Sequence, residues 1–321
     1  MKQELIEVRE NVGQLKGVLA AALTPMDENL DLDHDSFATH CRRLLGAGCH
    51  GLGIFGTTGE ANSFTADERI TALEALVENG IPAERLLPGT GSCALPEAVH
   101  LSRAALEVGA PGVLVLPPFY YKGVDDDGLF RFFAELIERA ADPRLRVYLY
   151  HFPQMTGVGI SLPLIERLLD AYPGVVSGTK DSEGDWDRIQ TVCREFPGFR
   201  VFAGTERFLL DTLRYGGAGC ISATVNVTSR QGRRVHDAHE AGREAEAEAS
   251  QEHLTSLRET IEAYPTIPAL KSIMGRQTED DVWRNIRPPL TNLDGDEAEE
   301  LLSRLRELGL RDDATSPVPG E

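Results

Sequence analysis

The chain alternates short apolar runs with longer amphipathic segments, and this alternation constrains the fold more than any other feature. Continuous apolar runs are typical of parallel strands that are buried on both faces. Such runs occur at residues 17–23, 51–55, 85–89, 112–116, 146–150, 175–179, 200–203 and 219–223. Eight strands that each precede a helix predict an α/β protein with a (β/α)8 (TIM) barrel. Two packed Rossmann-type halves are the competing architecture, but no GxGxxG follows the first run.

The amphipathic segments predict helices, for example over residues 95–108 and 127–141. Thr65 and Glu68 have the spacing of a capping box, so a helix is expected to begin after Thr65. Beyond the eighth run the sequence is rich in Ala, Glu and Arg, and the charged face of residues 240–260 is interpreted as a solvated helix surface. We therefore expect a lead-in over 1–16, a barrel over 17–228, a C-terminal helical extension over 229–310 and a disordered tail over 311–321.

The charge balance argues against a polyanionic partner. The 321 residues include 32 basic and 51 acidic side chains, which gives a formal net charge of −19. Such a surface repels nucleic acid and anionic membranes, whereas a small molecule can still bind in a locally positive pocket. The five cysteines are scattered without a CxxC pair, and no stretch has the length of an apolar membrane span. We expect a cytoplasmic protein with neither a disulfide framework nor a zinc site.

Lys180 is the first candidate for chemistry. The apolar run before it and the acidic and glycine residues after it place this lysine at the end of a buried strand. A free lysine amine has a pKa of about 10.4, and an enclosed strand end can lower that value and so free the amine to attack a carbonyl. Lys180 is thus a candidate Schiff-base lysine. The alternative is a structural lysine that pairs with Asp181 or Asp185.

Other polar residues follow the predicted strands and are expected at the same mouth of the barrel. The loop at 56–59 offers backbone N–H groups and two hydroxyls for a carboxylate, and Tyr150, bonded to Thr57, could move protons. Each has a plainer alternative. The loop at 56–59 could be only a tight turn, and Tyr150 could be a core tyrosine. The aromatic residues 119–121 could serve packing or a subunit interface. These plainer interpretations weaken because all the residues fall on one face. The candidate set is Thr57, Thr58, Tyr120, Tyr150, Lys180, Gly204, Glu206 and Ser222.

Five motifs now occur in order along the chain: GTTGE at 56–60, PPFY at 117–120, LYHFP at 149–153, GTKD at 178–181 and GCISATVN at 219–226. Together they resemble the dihydrodipicolinate synthase / N-acetylneuraminate lyase superfamily of class I, pyruvate-dependent aldolases. The resemblance extends from residue 23 to residue 290. It implies a (β/α)8 barrel with a C-terminal helical part, usually assembled as a homotetramer, that needs no metal or organic cofactor.

The resemblance also implies roles for individual residues. Lys180 matches the Schiff-base lysine, and Tyr150 matches the catalytic tyrosine. Thr57 and Thr58 match the pair that binds the pyruvate-like carboxylate, and Thr57 also matches a member of the proton relay. Tyr120 matches the relay tyrosine that in many members reaches into the neighbouring subunit's site.

Two positions bear on the rest of the substrate. In true dihydrodipicolinate synthases an arginine binds the carboxylate of aspartate semialdehyde. This chain has Met155 at the matching position, and methionine cannot make a bidentate contact with a carboxylate. The segment 203–207 resembles the place where neuraminate lyases put acidic residues against sugar hydroxyls. Glu206 could bind a polyol in that way, Arg207 could bind an anionic tail, or neither could contact a ligand, since Glu is favoured in a first helical turn.

These observations favour a Schiff-base-forming lyase that cleaves or forms a 2-keto-3-deoxy sugar acid or a 4-hydroxy-2-oxo acid, with pyruvate and an aldehyde as the other partners. A 2-keto-3-deoxy sugar acid dehydratase, which uses the same iminium, is the alternative. An authentic 4-hydroxy-tetrahydrodipicolinate synthase and a non-catalytic sugar-acid sensor are less favoured. A metal-dependent aldolase would need a ligand cluster at strand ends, and of the eight histidines only His151 lies there.

Overall fold

A ring of parallel strands surrounded by helices forms the body of the protein. The computed structural model describes residues 15–310, so residues 1–14 of the predicted lead-in and the whole predicted tail, 311–321, lie outside the described residues. The seven strands are β1 Gly17–Ala21, β2 Gly51–Gly53, β3 Val113–Val115, β4 Val147–His151, β5 Val176–Asp181, β6 Arg200–Ala203 and β7 Gly219–Ser222. Their order in the sheet is β2-β1-β7-β6-β5-β4-β3, and every neighbouring pair is parallel.

The predicted strand at 85–89 closes this ring without forming a regular strand. A 3-10 turn, Ala83–Arg85, occupies its start, and two isolated parallel bridges join Leu86 to Leu52 and Gly89 to Leu114. Pro88 has no N–H group to donate, so the ladder is interrupted there. The segment still lies between β2 and β3 and therefore completes an eightfold barrel.

Helices follow the strands around the outside of the barrel. The predicted helix behind Thr65 is confirmed as Ala66–Glu78, with both halves of its capping box present. The described helices are α1 His34–Gly46, α2 Ala66–Glu78, α3 Leu95–Glu107, α4 Asp126–Ala140, α5 Pro153–Thr156, α6 Leu162–Ala171, α7 Trp186–Glu195, α8 Leu209–Arg214, α9 Val225–Glu240, α10 Glu244–Glu262, α11 Thr266–Thr278 and α12 Gly295–Glu307. Each helix within residues 15–310 is too short or too polar to span a bilayer. The predicted fold class, an α/β barrel with C-terminal helices, is confirmed.

Helix α9 crosses the boundary predicted between residues 228 and 229. Only the backbone of Thr228 departs from helical geometry, with φ −113° and ψ 17°. Gly232 of this helix packs so closely on β1 that a Cβ there would lie 3.1 Å from Cγ1 of Val18. Helix α9 is therefore the eighth helix of the barrel. The later helices bury a second core that includes Leu257, Leu270 and Leu301.

A buried ion pair ties this C-terminal extension to the loop after β2. Lys271 Nζ of α11 lies 2.6 Å from Glu60 Oε1, and both side chains are completely buried. Lys271 also donates to Asn285 O at 2.7 Å, and the N–H of Arg287 donates to Glu60 Oε2 at 3.1 Å. Burial lowers the pKa of Lys271, and the carboxylate of Glu60 opposes that shift. The extension thus holds the end of the 56–60 loop in place.

The pair predicts a stability effect. In Lys271→Met, Glu60 would be left as a buried charge without its cation, so we expect the free energy of unfolding to fall by about 3–5 kcal/mol. The double variant Glu60→Gln with Lys271→Met should regain part of this loss, because no unpaired charge remains. Guanidinium unfolding measures both effects. Lys16→Met, at an exposed lysine, is the control, and a Lys271→Met protein as stable as this control would contradict the prediction.

Candidate active site

Two neighbouring strands bring Lys180 and Tyr150 together. In the pairing of β4 with β5, Tyr150 lies opposite Lys180, so both side chains point to the same face, the interior of the barrel. Lys180 Nζ donates to Tyr150 OH at 3.2 Å, and Tyr150 OH lies 3.4 Å from Thr57 Oγ1. Lys180 is 4% exposed and Tyr150 is 3% exposed. The three polar atoms form a continuous chain at the top of the barrel.

The acidic residues beside Lys180 in sequence are not its partners. Asp181 points to the opposite face of β5 and binds Arg188, with 2.8 Å between Oδ2 and Nε. Asp185 caps helix α7 by accepting from the N–H of Asp187 at 3.0 Å. The structural alternative for Lys180, a pair with either aspartate, therefore has no support in this geometry.

A cavity of about 530 Å³ opens above the lysine. Among the predicted residues, Thr57, Thr58, Tyr150, Lys180 and Gly204 line it. Gly204 N donates to Asp181 O at 2.6 Å, and a Cβ on Gly204 would collide with Ser182 Oγ. Only glycine fits at that position, because two strand ends meet there.

The loop after β2 forms the wall across from Lys180. Going around the ring in either direction, β2 and β5 are four positions apart, so the residues after these strands face each other across the mouth. The N–H groups of Thr57 and Thr58 donate to no other described residue, and both side chains line the cavity. This loop can therefore present two N–H groups and two hydroxyls to an anion.

The structure corrects the expectation for Glu206 and Ser222. Neither lines the cavity, and both are completely buried beneath it. Glu206 accepts from the hydroxyls of Ser222 and Thr224, and its Oε2 lies 2.6 Å from Arg258 Nη1. Burial alone would raise the pKa of Glu206, but Arg258 and the hydroxyls hold it below its usual value. Its oxygens are thus fully used inside the protein, and none is left for a substrate hydroxyl.

Tyr120 does not reach the cavity of its own chain. Its side chain is 75% exposed, as is that of Tyr121, and the two rings pack edge to face with 5.3 Å between their centroids. Lys122 holds this aromatic loop by donating to Phe119 O and, at 2.6 Å, to Thr156 O. The predicted role of Tyr120 in a neighbouring subunit's site stays a prediction.

Several lining residues were missed from the sequence. Ser182 and Glu183 belong to the turn that follows Lys180, so the rule that selected the strand ends could have found them. Arg258 and Glu262 come from α10, whose charged face was interpreted as solvated, yet Arg258 is only 7% exposed. No pattern in the sequence marked these two residues, because their burial depends on how the extension docks.

Two groups of side chains come close enough to hold a metal ion among residues 15–310: His151, Asp181 and Glu183 at the top, and His50, His236 and Asp237. In both, Nδ1 of one histidine accepts a backbone N–H: His151 from Ile160 at 2.9 Å, and His50 from Val18 at 3.0 Å. The proton of each neutral ring is therefore on Nε2, which leaves that ring no lone pair for a metal. Neither group is built as a metal site.

Comparison with known proteins gives consistent relationships. The model of the dihydrodipicolinate synthetase family matches residues 14–308. An uncharacterized DapA-like lyase of Chloroflexus aurantiacus is 34% identical over 287 residues, which cover 89% of this chain and 94% of that protein. The 4-hydroxy-tetrahydrodipicolinate synthase of Methanopyrus kandleri is 30% identical over 302 residues, which cover 92% of this chain and 97% of that protein.

Among solved structures, a similar fold is that of YagE, a prophage protein from E. coli K12 that belongs to the dihydrodipicolinic acid synthase family and was crystallised in complex with pyruvate. The TM-score is 0.84 with 26% sequence identity, and the match covers 92% of this chain and 99% of YagE.

The buried network below the cavity yields a test. Glu206→Ala leaves Arg258 without its buried partner, so we expect the free energy of unfolding to fall by about 3–5 kcal/mol. Glu259→Ala removes a carboxylate that is 55% exposed and lies on the same helix as Arg258, and it should change stability by less than about 0.5 kcal/mol. Chemical unfolding of both variants measures the difference. A Glu206→Ala protein of unchanged stability would contradict this prediction.

Proposed function

Since the chain belongs to the dihydrodipicolinate synthetase family, whose members are lyases, we propose that it is a Schiff-base-forming lyase of pyruvate-type 2-oxo acids. The observation that carries this proposal is the contact of Lys180 Nζ with Tyr150 OH inside a cavity. A buried lysine beside a phenol, across from free backbone N–H groups, suits a substrate with a ketone next to a carboxylate. Pyruvate, which was crystallised with YagE, has a ketone next to a carboxylate.

In the proposed reaction the neutral amine of Lys180 attacks the C2 ketone while Thr57 and Thr58 hold the carboxylate. Loss of water from the carbinolamine gives an iminium, with Tyr150 and Thr57 transferring the protons. The C3–C4 bond then breaks, its electron pair moves to the iminium, and Tyr150 accepts the proton of the C4 hydroxyl. An aldehyde leaves. Protonation of the resulting enamine at C3 and hydrolysis release pyruvate and regenerate Lys180.

The proposed substrates are 2-keto-3-deoxy sugar acids or 4-hydroxy-2-oxo acids. Met155 lines the cavity with a side chain that is 62% exposed, and it offers no charge to the carboxylate of aspartate semialdehyde. This disfavours a 4-hydroxy-tetrahydrodipicolinate synthase. A non-catalytic sugar-acid sensor is also disfavoured, because binding alone does not require a lysine amine beside a phenol.

We further propose a cytoplasmic homotetramer that works without cofactor or metal. The exposed pair Tyr120 and Tyr121 supports this assembly, since two large aromatic side chains project from the mouth of the barrel and are suited to a subunit interface. In that arrangement Tyr120 would complete the proton relay of a neighbouring subunit.

Reductive trapping tests the Schiff base. Incubation of the protein with pyruvate and borohydride should add the mass of one reduced pyruvate, because borohydride fixes the iminium on Lys180. The adduct should be lost in Lys180→Ala and kept in Lys122→Ala, which removes a lysine near the mouth that does not line the cavity. Intact-protein mass spectrometry is the measurement. A folded parent protein that gives no adduct would remove the proposal, and turnover that EDTA abolishes would favour a metal-dependent aldolase.

Tyr150→Phe tests the proton transfer. The variant keeps the ring and removes the hydroxyl that joins Lys180 to Thr57, so kcat should fall by about 10²–10⁴-fold while the fold is retained. Steady-state kinetics and thermal unfolding separate the two effects. Tyr148→Phe is the matched control, because it removes the hydroxyl of a second buried tyrosine of β4 that does not line the cavity. A Tyr150→Phe enzyme with unchanged kcat would exclude this phenol from the reaction.

Product analysis separates cleavage from dehydration. We expect a 2-keto-3-deoxy sugar acid to give pyruvate and an aldehyde, because in the proposed reaction Tyr150 takes the proton of the C4 hydroxyl. A dehydratase would instead release a deoxygenated oxo acid of unchanged carbon number. Chromatography of the products with detection of pyruvate makes the distinction.

A further inference from the structure

Glu183 is the carboxylate that the turn after Lys180 presents to the cavity. Building on the proposed function, we propose that Glu183 accepts a hydrogen bond from a hydroxyl in the aldehyde half of the substrate. This assigns the enzyme to 2-oxo acids whose tail carries hydroxyl groups and no negative charge. Of the two candidates for the tail, a polyol and an anionic group, the proposal favours the polyol.

The turn holds Glu183 in a fixed position. Its N–H donates to Asp181 Oδ1 at 3.1 Å, and its carbonyl accepts from Gln154 Nε2 at 2.6 Å. Asp181 is itself fixed by Arg188. Because both backbone groups are bonded, the side chain leaves the turn at a defined point of the cavity wall. A contact from this point can therefore select between substrates.

His151 prepares the carboxylate to accept a hydrogen bond. Nδ1 of His151 accepts a hydrogen bond from the N–H of Ile160, so the ring proton is on Nε2. The Nε2–H group donates a hydrogen bond to Glu183 Oε2 at 3.0 Å. His151 is 4% exposed, whereas the side chain of Glu183 is 35% exposed. This neutral donor orients the carboxylate without adding a positive charge, and Arg188, the one cation near Oε2 among the described residues, is shared with Asp181. Oε1 has no hydrogen-bond partner among residues 15–310, so it is open to a hydroxyl in the cavity.

The neighbouring cations are already countered by carboxylates. Arg207 lies 3.4 Å from Glu259 and 3.9 Å from Glu262. Arg258 lies 2.6 Å from Glu206 and 2.5 Å from Glu262.

Arg188 Nε is shared by two carboxylates, at 2.8 Å from Asp181 Oδ2 and 3.7 Å from Glu183 Oε2. An anionic tail would therefore meet arginines that are already paired and a turn in which carboxylates outnumber the cation, and like charges repel across a few ångströms. A substrate hydroxyl is not repelled in this way and can donate a hydrogen bond to Glu183.

The ring geometry directs the tail toward this wall. The loop with Thr57 and Thr58 lies across the mouth from the turn with Glu183, and Lys180 reaches in from β5. A 2-oxo acid whose carboxylate rests on the loop after β2 and whose C2 is bonded to Lys180 extends its remaining carbons away from that loop. The tail then runs along the side that carries Glu183.

The test uses the reaction in the direction of condensation, with pyruvate and three aldehydes. Glyceraldehyde supplies hydroxyls, acetaldehyde supplies none, and glyoxylate supplies a negative charge. In the parent enzyme kcat/KM should be greatest for glyceraldehyde and smallest for glyoxylate. Glu183→Gln should lower kcat/KM for glyceraldehyde about tenfold, leave acetaldehyde within about twofold and raise glyoxylate, because a hydrogen bond to a charged acceptor is stronger than one to a neutral acceptor.

Asp187→Asn is the matched control, since it removes an exposed acidic charge in the segment after Glu183 that does not line the cavity. It should change all three aldehydes by less than about twofold. Two results would overturn the role of Glu183: an equal loss for all three aldehydes in Glu183→Gln, or a preference of the parent enzyme for glyoxylate. Trapping of pyruvate with borohydride is run on the same samples. A parent enzyme that traps no pyruvate removes the proposed function itself, whereas a trapped pyruvate together with either overturning result removes only the inference about the tail.

Discussion

The pairing of β4 with β5 sets the geometry on which the candidate site depends. The ladder begins with Val147 opposite Val176, but Tyr148 lies opposite Gly178, so β5 contains one extra residue, Ser177. Because successive strand residues point to opposite faces, this bulge brings Lys180 rather than Thr179 opposite Tyr150. Without it the lysine and the phenol would lie on different faces of the sheet. One inserted residue thus places the proposed nucleophile beside its proton carrier.

The C-terminal extension contributes to the site through two buried ion pairs. Lys271 holds Glu60 at the end of the loop that carries Thr57 and Thr58, and Arg258 holds Glu206 beneath the cavity. Each pair joins a residue of the barrel to a helix of the extension. Taking ions out of water is costly, so such pairs add specificity more readily than net stability. Here they fix the orientation of the extension, which also lines the cavity with Glu262 and Leu290.

Local patterns in the sequence were sufficient for the fold and for the centre of the site. Apolar runs followed by polar strand ends predicted the barrel and brought Lys180, Tyr150 and Thr57 to one place, because strand ends of a closed barrel meet by geometry. The same rule failed for Glu206, since whether a strand-end carboxylate faces a ligand or an arginine depends on a helix distant in sequence. Arg258 could not be predicted for that reason. The irregularity of the segment at 85–89 could have been foreseen from Pro88, which lacks the N–H that a ladder needs.

The buried contacts between the C-terminal extension and the loop after β2 affect the order in which the chain can fold during synthesis. Arg287 contacts Glu60 across 227 positions of sequence, and Lys271 comes from the same late region. A growing chain on the ribosome therefore exposes Glu60 and the Thr57–Thr58 loop long before their anchors have been synthesised. Domains tend to fold as units in the order of synthesis, and contacts of high sequence separation form late. The loop at 56–60 thus gains these anchors only after residues 271–287 have emerged, so a product truncated before Lys271 retains Lys180 without the buried contacts that hold the end of that loop.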